Sequence, residues 1–285
     1  MGVFRERMRR DLEIEGKAER TCRTYLGAMA GLVRYFMRPP DQLGPEDIKR
    51  YQHHLIRERG LSYSTLNTAV SAFRFFYRNT LPVDWEVERL PFHKRPKRLP
   101  VILSREEVVR LFEAACGLVW RAVFVTLYGA GLRLGECLRL RVSDIDSGRM
   151  VLEVRAGKGA KDRYVPLSKS LLRLLREYWR EARPDDYLFP GREPEQPLDP
   201  TTVQRRFQKA AKRADIRKRV TPHSLRHAFA THMLEDGTHV RALQRILGHT
   251  SLKTTTIYLH CTAEYMRDVK SPLDRLSLGG LGAGS

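Results

Sequence analysis

Thr221-Pro222-His223-Ser224-Leu225-Arg226-His227-Ala228-Phe229-Ala230-Thr231-His232 is the stretch that decides how the rest of the chain is read. A proline at the head of an apolar-periodic run marks a helix N-terminus. His223 and Arg226 lie three apart and so share a face of that helix. Free backbone N–H groups at a helix start, an imidazole and a guanidinium directed one way make an anion site suited to a phosphate. His227 and His232 show that the segment is rich in histidine, and both read as packing or surface residues. HExxH and HxxEH patterns are absent, so no zinc site is expected. Downstream come Leu247-Gly248-His249 and Thr254-Thr255-Thr256-Ile257-Tyr258. Upstream lies Gly131-Leu132-Arg133-Leu134-Gly135-Glu136.

The composition says what such an anion site would serve. The 285 residues carry a net charge of +19, and 42% are hydrophobic. That length allows two domains with ordinary cores. The charge calls for a polyanionic partner, of which nucleic acid is the commonest; membranes and acidic proteins are the other takers. Cys22, Cys116, Cys137 and Cys261 have no metal-ligand spacing and read as reduced thiols. No apolar run is long enough to span a membrane, and the basic N-terminus lacks the apolar core of a signal peptide. The expected location is the cytoplasm.

Taken in order, residues 1–90 read as a helical bundle. Tyr25, Met29, Leu32 and Phe36 form one stripe, ended by Pro39-Pro40; Ile48, Tyr51 and Leu55 follow a start at Pro45. Ser64 is expected to cap a third helix with the stripe Leu66, Val70, Phe73 and Tyr77. Lys49, Arg50, Arg57, Arg59, Arg74 and Arg78 are expected on the outer faces, where they suit a phosphate backbone. Residues 91–100 hold three prolines and the cations Lys94, Arg95, Lys97 and Arg98, and read as a stiff basic linker that tracks such a backbone.

Residues 101–272 read as a second, α-rich domain. Ser104 and Glu107 form a capping box, and residues 118–128 are almost wholly apolar. Two strand-like runs, 150–154 and 163–167, flank Gly157-Lys158-Gly159-Ala160 as a hairpin within a small antiparallel sheet. Helices are expected after Ser168 and Asp199, over 238–247 and over 262–269. The glycine-rich end, residues 273–285, reads as a flexible tail. The fold class is mainly α.

The residues also supply what a metal-free phosphodiester transfer needs: a nucleophile, cations for the non-bridging oxygens, a general acid and a base. Arg133 follows a glycine break that allows close approach to a phosphate. Glu136, three residues on, either holds that guanidinium or is a plain intrahelical ion pair. Lys158 sits between two glycines and could donate a proton; Lys161 is its rival. His249 follows the helix end at Gly248, a place where a histidine also serves as a simple cap. Tyr258 lies nine residues further.

Arg133, Lys158, His223, Arg226, His249 and Tyr258 occur in the order used by the tyrosine recombinases, or phage integrases. The words around them match as well: Gly-Leu-Arg-x-x-Glu, Gly-Lys-Gly-x-Lys-x-Arg-x-Val-Pro-Leu, Pro-His-x-Leu-Arg-His-x-Phe-Ala-Thr-His and Leu-Gly-His. The chain thus resembles that family, most closely a Xer-type or mobile-element member; Ala130 stands where many members have Thr.

The resemblance implies a SAM-like helical core-binding domain followed by a catalytic domain. It implies Tyr258 as nucleophile forming a 3′-phosphotyrosine, Arg133 and Arg226 as phosphate clamp, and Lys158 as general acid. His223 would move the proton of Tyr258, and His249 would bond the phosphate. The reaction would be site-specific DNA recombination with no cofactor, metal or ATP. The partner would be double-stranded DNA, with a homo-tetramer on two sites and a monomer allowed in free solution.

Two other readings share the fold, a non-catalytic DNA-binding protein and a type IB topoisomerase. A metal-dependent nuclease would need Asp144 and Asp146 to converge, and these read as a turn.

Overall fold

Met29 and Leu32 on α2 (Glu19–Phe36) have no exposed surface, and around them the first part of the chain closes. The computed structural model describes residues 2–94, 100–155 and 162–258, the side chain of Lys253 excepted. The hairpin tip with Lys158, linker residues Arg95, Lys97 and Arg98, and the helix and tail expected beyond residue 258 lie outside the described residues. The chain divides into two compact units, Met1–Lys97 and Arg98–Ser285.

In the first unit α1 (Gly2–Ile14) buries Met8 and Leu12. Met37 turns left-handed at φ 51° to end α2 before the prolines. Asp47 accepts the Gly44 N–H at 3.1 Å at the start of α3 (Pro45–Arg57). Helix α4 (Tyr63–Phe75) is capped by Ser62, whose Oγ accepts from the Thr65 N–H at 3.2 Å. Ser64, the expected cap, is already inside the helix. The stripe Leu66, Val70, Phe73 and Tyr77 is buried, and the Tyr77 hydroxyl donates to the Pro40 carbonyl at 2.8 Å.

Arg74 is not an outer-face cation. Its guanidinium donates to the carbonyls of Glu88 and Leu90 at 2.6 and 2.5 Å and lies 4.2 Å over the Phe92 ring. The Asn67 amide donates to the His93 carbonyl at 3.0 Å and accepts the His93 N–H at 2.8 Å, which fixes the next residue as well. The first residues of the expected linker are therefore docked on α4. Lys94 is exposed.

In the second unit α6 (Leu118–Gly129) is central, burying Ala122, Val123, Phe124 and Leu127. Helix α5 (Arg105–Glu113) precedes it, with the Ser104–Glu107 capping box in place, and α7 (Leu134–Leu138) follows. A three-stranded antiparallel sheet comes next, ordered β1 (Ile145–Asp146), β2 (Val151–Val154), β3 (Arg163–Pro166). Its register pairs Leu152 with Val165 and Val154 with Arg163.

Asp144 and Asp146 do not converge. Asp144 is buried in a 3-10 turn, accepts the Arg141 N–H at 2.8 Å and pairs with Arg155 at 2.8 Å, whereas Asp146 accepts the Arg149 N–H at 2.8 Å. Helices α8 (Lys169–Ala182) and α9 (Pro200–Arg213) are capped by Ser168 and Asp199. Then come α10 (Pro222–Glu235), α11 (Val240–Leu247) and the single turn α12 (Leu252–Thr255), which runs into a 3-10 turn over Thr256–Tyr258. No helix among the described residues is long and apolar enough to cross a membrane.

Candidate active site

Pro222 occupies the first turn of α10, where its missing N–H costs nothing. One turn later Arg226 points into the protein and is only 1% exposed. A cation buried that deeply must be bonded throughout. Its Nη1 donates to the Gly131 carbonyl at 2.7 Å, and its Nη2 donates to the Leu247 carbonyl at 2.7 Å and to His249 Nε2 at 3.1 Å. Burial first, and then the neighbouring Arg133, draw its pKa down to about 10 against the pull of Glu136, so it stays charged at neutral pH.

Gly131 makes this arrangement possible. It sits at φ 60°, and a Cβ there would meet the Phe229 ring at 2.4 Å. A side chain is excluded twice over, by backbone conformation and by space. The Phe229 ring occupies the space beside the glycine, and the glycine carbonyl receives Arg226.

Arg133 is the N-cap of α7, and its side chain is 45% exposed. Glu136 accepts its backbone N–H at 2.8 Å and its Nη1 at 2.7 Å. The same carboxylate meets Arg163 at 3.1 and 2.9 Å and Arg226 Nη1 at 3.6 Å. Three guanidinium groups from α7, β3 and α10 thus gather on one buried carboxylate. Burial alone would raise the Glu136 pKa, but the Arg163 hydrogen bonds, the Arg133 N–H and the surrounding positive charge bring it down to about 2.

His249 follows Gly248, the left-handed cap of α11 at φ 62°. A guanidinium can only donate, so Nε2 accepts from Arg226. The neutral ring then carries its proton on Nδ1, which bonds Thr255 Oγ1 at 2.9 Å. Burial and the charge of Arg226 push its pKa down to about 4, in keeping with a neutral ring.

Tyr258 is 2% exposed, with its ring among Phe229, Leu234, Leu243 and Leu247. Its hydroxyl does not end in hydrocarbon: it lies 3.0 Å from His227 Nδ1. The His249 ring is stacked 6.5 Å away. His223 presents an exposed side chain and packs edge-on against His227 at 4.5 Å. Desolvation by its neighbours, followed by Arg226 and Arg133, lowers the His223 pKa; desolvation, His223 and Arg226 bring His227 to about 4.

Of the sequence-derived residues, Arg133, Glu136, Arg226, His249 and Tyr258 come together, with His223 at the edge. Two further residues belong to the cluster. His227, set aside as packing or surface, is the imidazole at the Tyr258 hydroxyl; its signal was the four-residue step from His223, which shares a helix face. Arg163 appears in the sequence as part of a strand and as the Arg of the Gly-Lys-Gly-x-Lys-x-Arg-x-Val-Pro-Leu word, with no role given to it; its signal is period two, which puts it inward with Val165 and Leu167. His232 is buried and bonds the Tyr128 hydroxyl at 2.8 Å, as packing requires.

The profile of the Phage integrase family matches residues 102–264, and that of the phage integrase N-terminal SAM-like domain matches residues 4–87. The tyrosine recombinase XerA of Thermococcus onnurineus (strain NA1) is 42% identical over 262 residues, covering 90% of each chain. A crystal structure of XerA recombinase superposes with a TM-score of 0.55 at 33% identity, over 93% of this chain and 96% of that one. A lambda integrase dimer bound to a COC′ core site shares the fold at a TM-score of 0.72 and 20% identity, over 89% and 96% of the two chains.

Proposed function

From the premise that this chain belongs to the phage integrase family of tyrosine-type site-specific recombinases, we propose that Tyr258 is the residue that breaks and remakes the DNA strand. The protein is a DNA recombinase, and what needs assigning is the part each side chain plays. The observation that carries the assignment is the placement of the Tyr258 hydroxyl 3.0 Å from His227, in the pocket that also holds Arg226 and His249.

In this reading the phenolate oxygen attacks phosphorus, a 3′-phosphotyrosine forms and the 5′ oxygen leaves with a proton. The covalent ester keeps the bond energy for rejoining, so neither ATP nor a metal is required. Arg133 and Arg226 neutralise the non-bridging oxygens. His249 bonds the phosphate and His223 assists with the phenolic proton. Lys158 is the proton donor to the leaving oxygen. Tyr258 and Arg226 are 2% and 1% exposed, so the segment from His249 to Tyr258 must shift for a phosphate to reach both.

The substrate is double-stranded DNA. The described Lys94, together with Arg95, Lys97 and Arg98, contributes backbone contacts. The division of labour is a core-binding domain over 1–90, a linker over 91–100, a catalytic domain over 101–272 and a tail over 273–285. Four protomers act on two sites in the cytoplasm.

The test begins with selection of the bound site from random duplex DNA. A nicked version of that site then traps the covalent intermediate. The parent chain is expected to form an adduct in the presence of chelator, and Tyr258→Phe to form none. An adduct that survives in Tyr258→Phe, or its absence from the parent, sinks the assignment. Strand exchange between two duplexes, rather than relaxation alone, separates recombination from a topoisomerase reaction.

A further inference from the structure

Arg163 has no part in the assignment above, yet its surroundings are those of a built contact. It opens β3 opposite Val154, with its side chain 11% exposed. Its Nη1 and Nη2 clasp the two Glu136 oxygens at 3.1 and 2.9 Å, and its Nε donates to the Ile246 carbonyl at 2.8 Å. Helix α11 closes directly over it: a Cβ on Gly248 would stand 3.0 to 3.1 Å from Arg163 Cδ, Cζ and Nε.

One guanidinium therefore joins β3, α7 and the end of α11. Each of these supports part of the site. Helix α7 brings Arg133 and Glu136. The end of α11 offers the Leu247 carbonyl that holds Arg226 and leads into His249. Strand β3 continues in sequence from the segment bearing Lys158.

We propose that Arg163 is a positioning residue for strand cleavage. It squares Glu136, and through it Arg133 and Arg226, to the phosphate, and it holds the turn that presents His249. This inference rests on the reading of Tyr258 as nucleophile. Arg163 acts through its neighbours and not on the phosphate. Only a guanidinium supplies a two-pronged clasp and a third, separately directed N–H; a lysine ammonium has no such geometry. A displacement of the clamp by ~1 Å costs about 100-fold in rate.

The experiment compares the intact parent chain with Arg163→Lys and Arg163→Met, with Tyr258→Phe as reference. Melting and affinity for the selected duplex are measured first. Single-turnover cleavage is then followed on nicked DNA with an ordinary scissile phosphate, and on the same DNA with a methylphosphonate there, which removes one oxygen charge.

For Arg163→Lys we expect melting within a few degrees and affinity within about threefold of the parent. Cleavage of the phosphate should fall roughly 100-fold. The loss on the methylphosphonate should be roughly 10-fold, since a misaligned clamp has less charge to neutralise. Arg163→Met should lose at least as much.

Cleavage of the phosphate by Arg163→Lys within about threefold of the parent overturns the proposal. So does an equal loss on both substrates, which marks general loosening, and so does failure of both variants to fold. A parent chain that forms no adduct defeats the Tyr258 reading, whereas a normal parent and a normal Arg163→Lys defeat only this inference.

Discussion

The two units of this molecule bury different kinds of side chain. In the first, α2, α3 and α4 turn Met29, Leu32, Ile48, Val70 and Phe73 inward, all with no exposed surface, and its buried polar residues are few. The second has a larger apolar core, and beside it a cluster of charge: Arg226, Glu136 and Arg163, with His227 and His249 close by. Apolar contact is non-directional and tolerates small shifts. Hydrogen-bonded charge fixes angles as well as positions, because each misaligned partner exposes the cost of burying the other. The first unit is held together by area, and the second adds a part held by geometry.

Three variants put pressure on that contrast. Phe73→Ala removes a ring from the first core and should cost about 3–5 kcal/mol of stability, read as a lowered denaturant midpoint. Below its transition the variant should still form the Tyr258 adduct at close to the parent rate on saturating DNA. A collapse of chemistry in the folded variant would show that the two kinds of packing are not separable.

Arg226→Lys attacks the other kind. A lysine cannot serve the Gly131 and Leu247 carbonyls and His249 together, so cleavage should slow about 10²–10³-fold, ~2.7–4 kcal/mol of transition-state stabilisation. Single-turnover adduct formation is the measurement, and a rate near that of the parent would remove Arg226 from the clamp.

The smallest effect is on pH dependence. His227 and His249 titrate near 4 in the folded chain against an ordinary 6.5. Between those values the unfolded chain binds more protons, so stability is full above about 6.5 and declines as pH falls towards about 4. Replacing both histidines with glutamine should flatten the melting temperature over that window. A slope identical to that of the parent would mean that other groups control it.

The same contrast explains how much could be read beforehand. Periodicity and caps gave α2, α3, α5, α8 and α9 because each local signal, Asp199 before Pro200 for instance, acts within one turn. Ser64 reads as the cap of α4 although Ser62 holds it, since both precede the same stripe and only backbone geometry decides which one caps. Arg74 reads as a surface cation until Glu88, Leu90 and Phe92 fold back on it, a contact across fourteen or more residues. In the site, Arg133 and Glu136 are three apart and their bond was legible. The convergence of Arg163 and Arg226 on the same carboxylate spans separations of 27 and 90 residues, and no local pattern encodes it.

That convergence has one more consequence. Three guanidinium groups against one carboxylate leave the cluster two positive charges in excess, three less one. Like charges at such range repel, and the folded chain sustains that repulsion when no DNA is bound. A phosphodiester entering beside Arg226, as proposed, would therefore do more than find a complementary surface. Its single negative charge would offset one of those two, and its own stability there would become coupled to that of the fold around it.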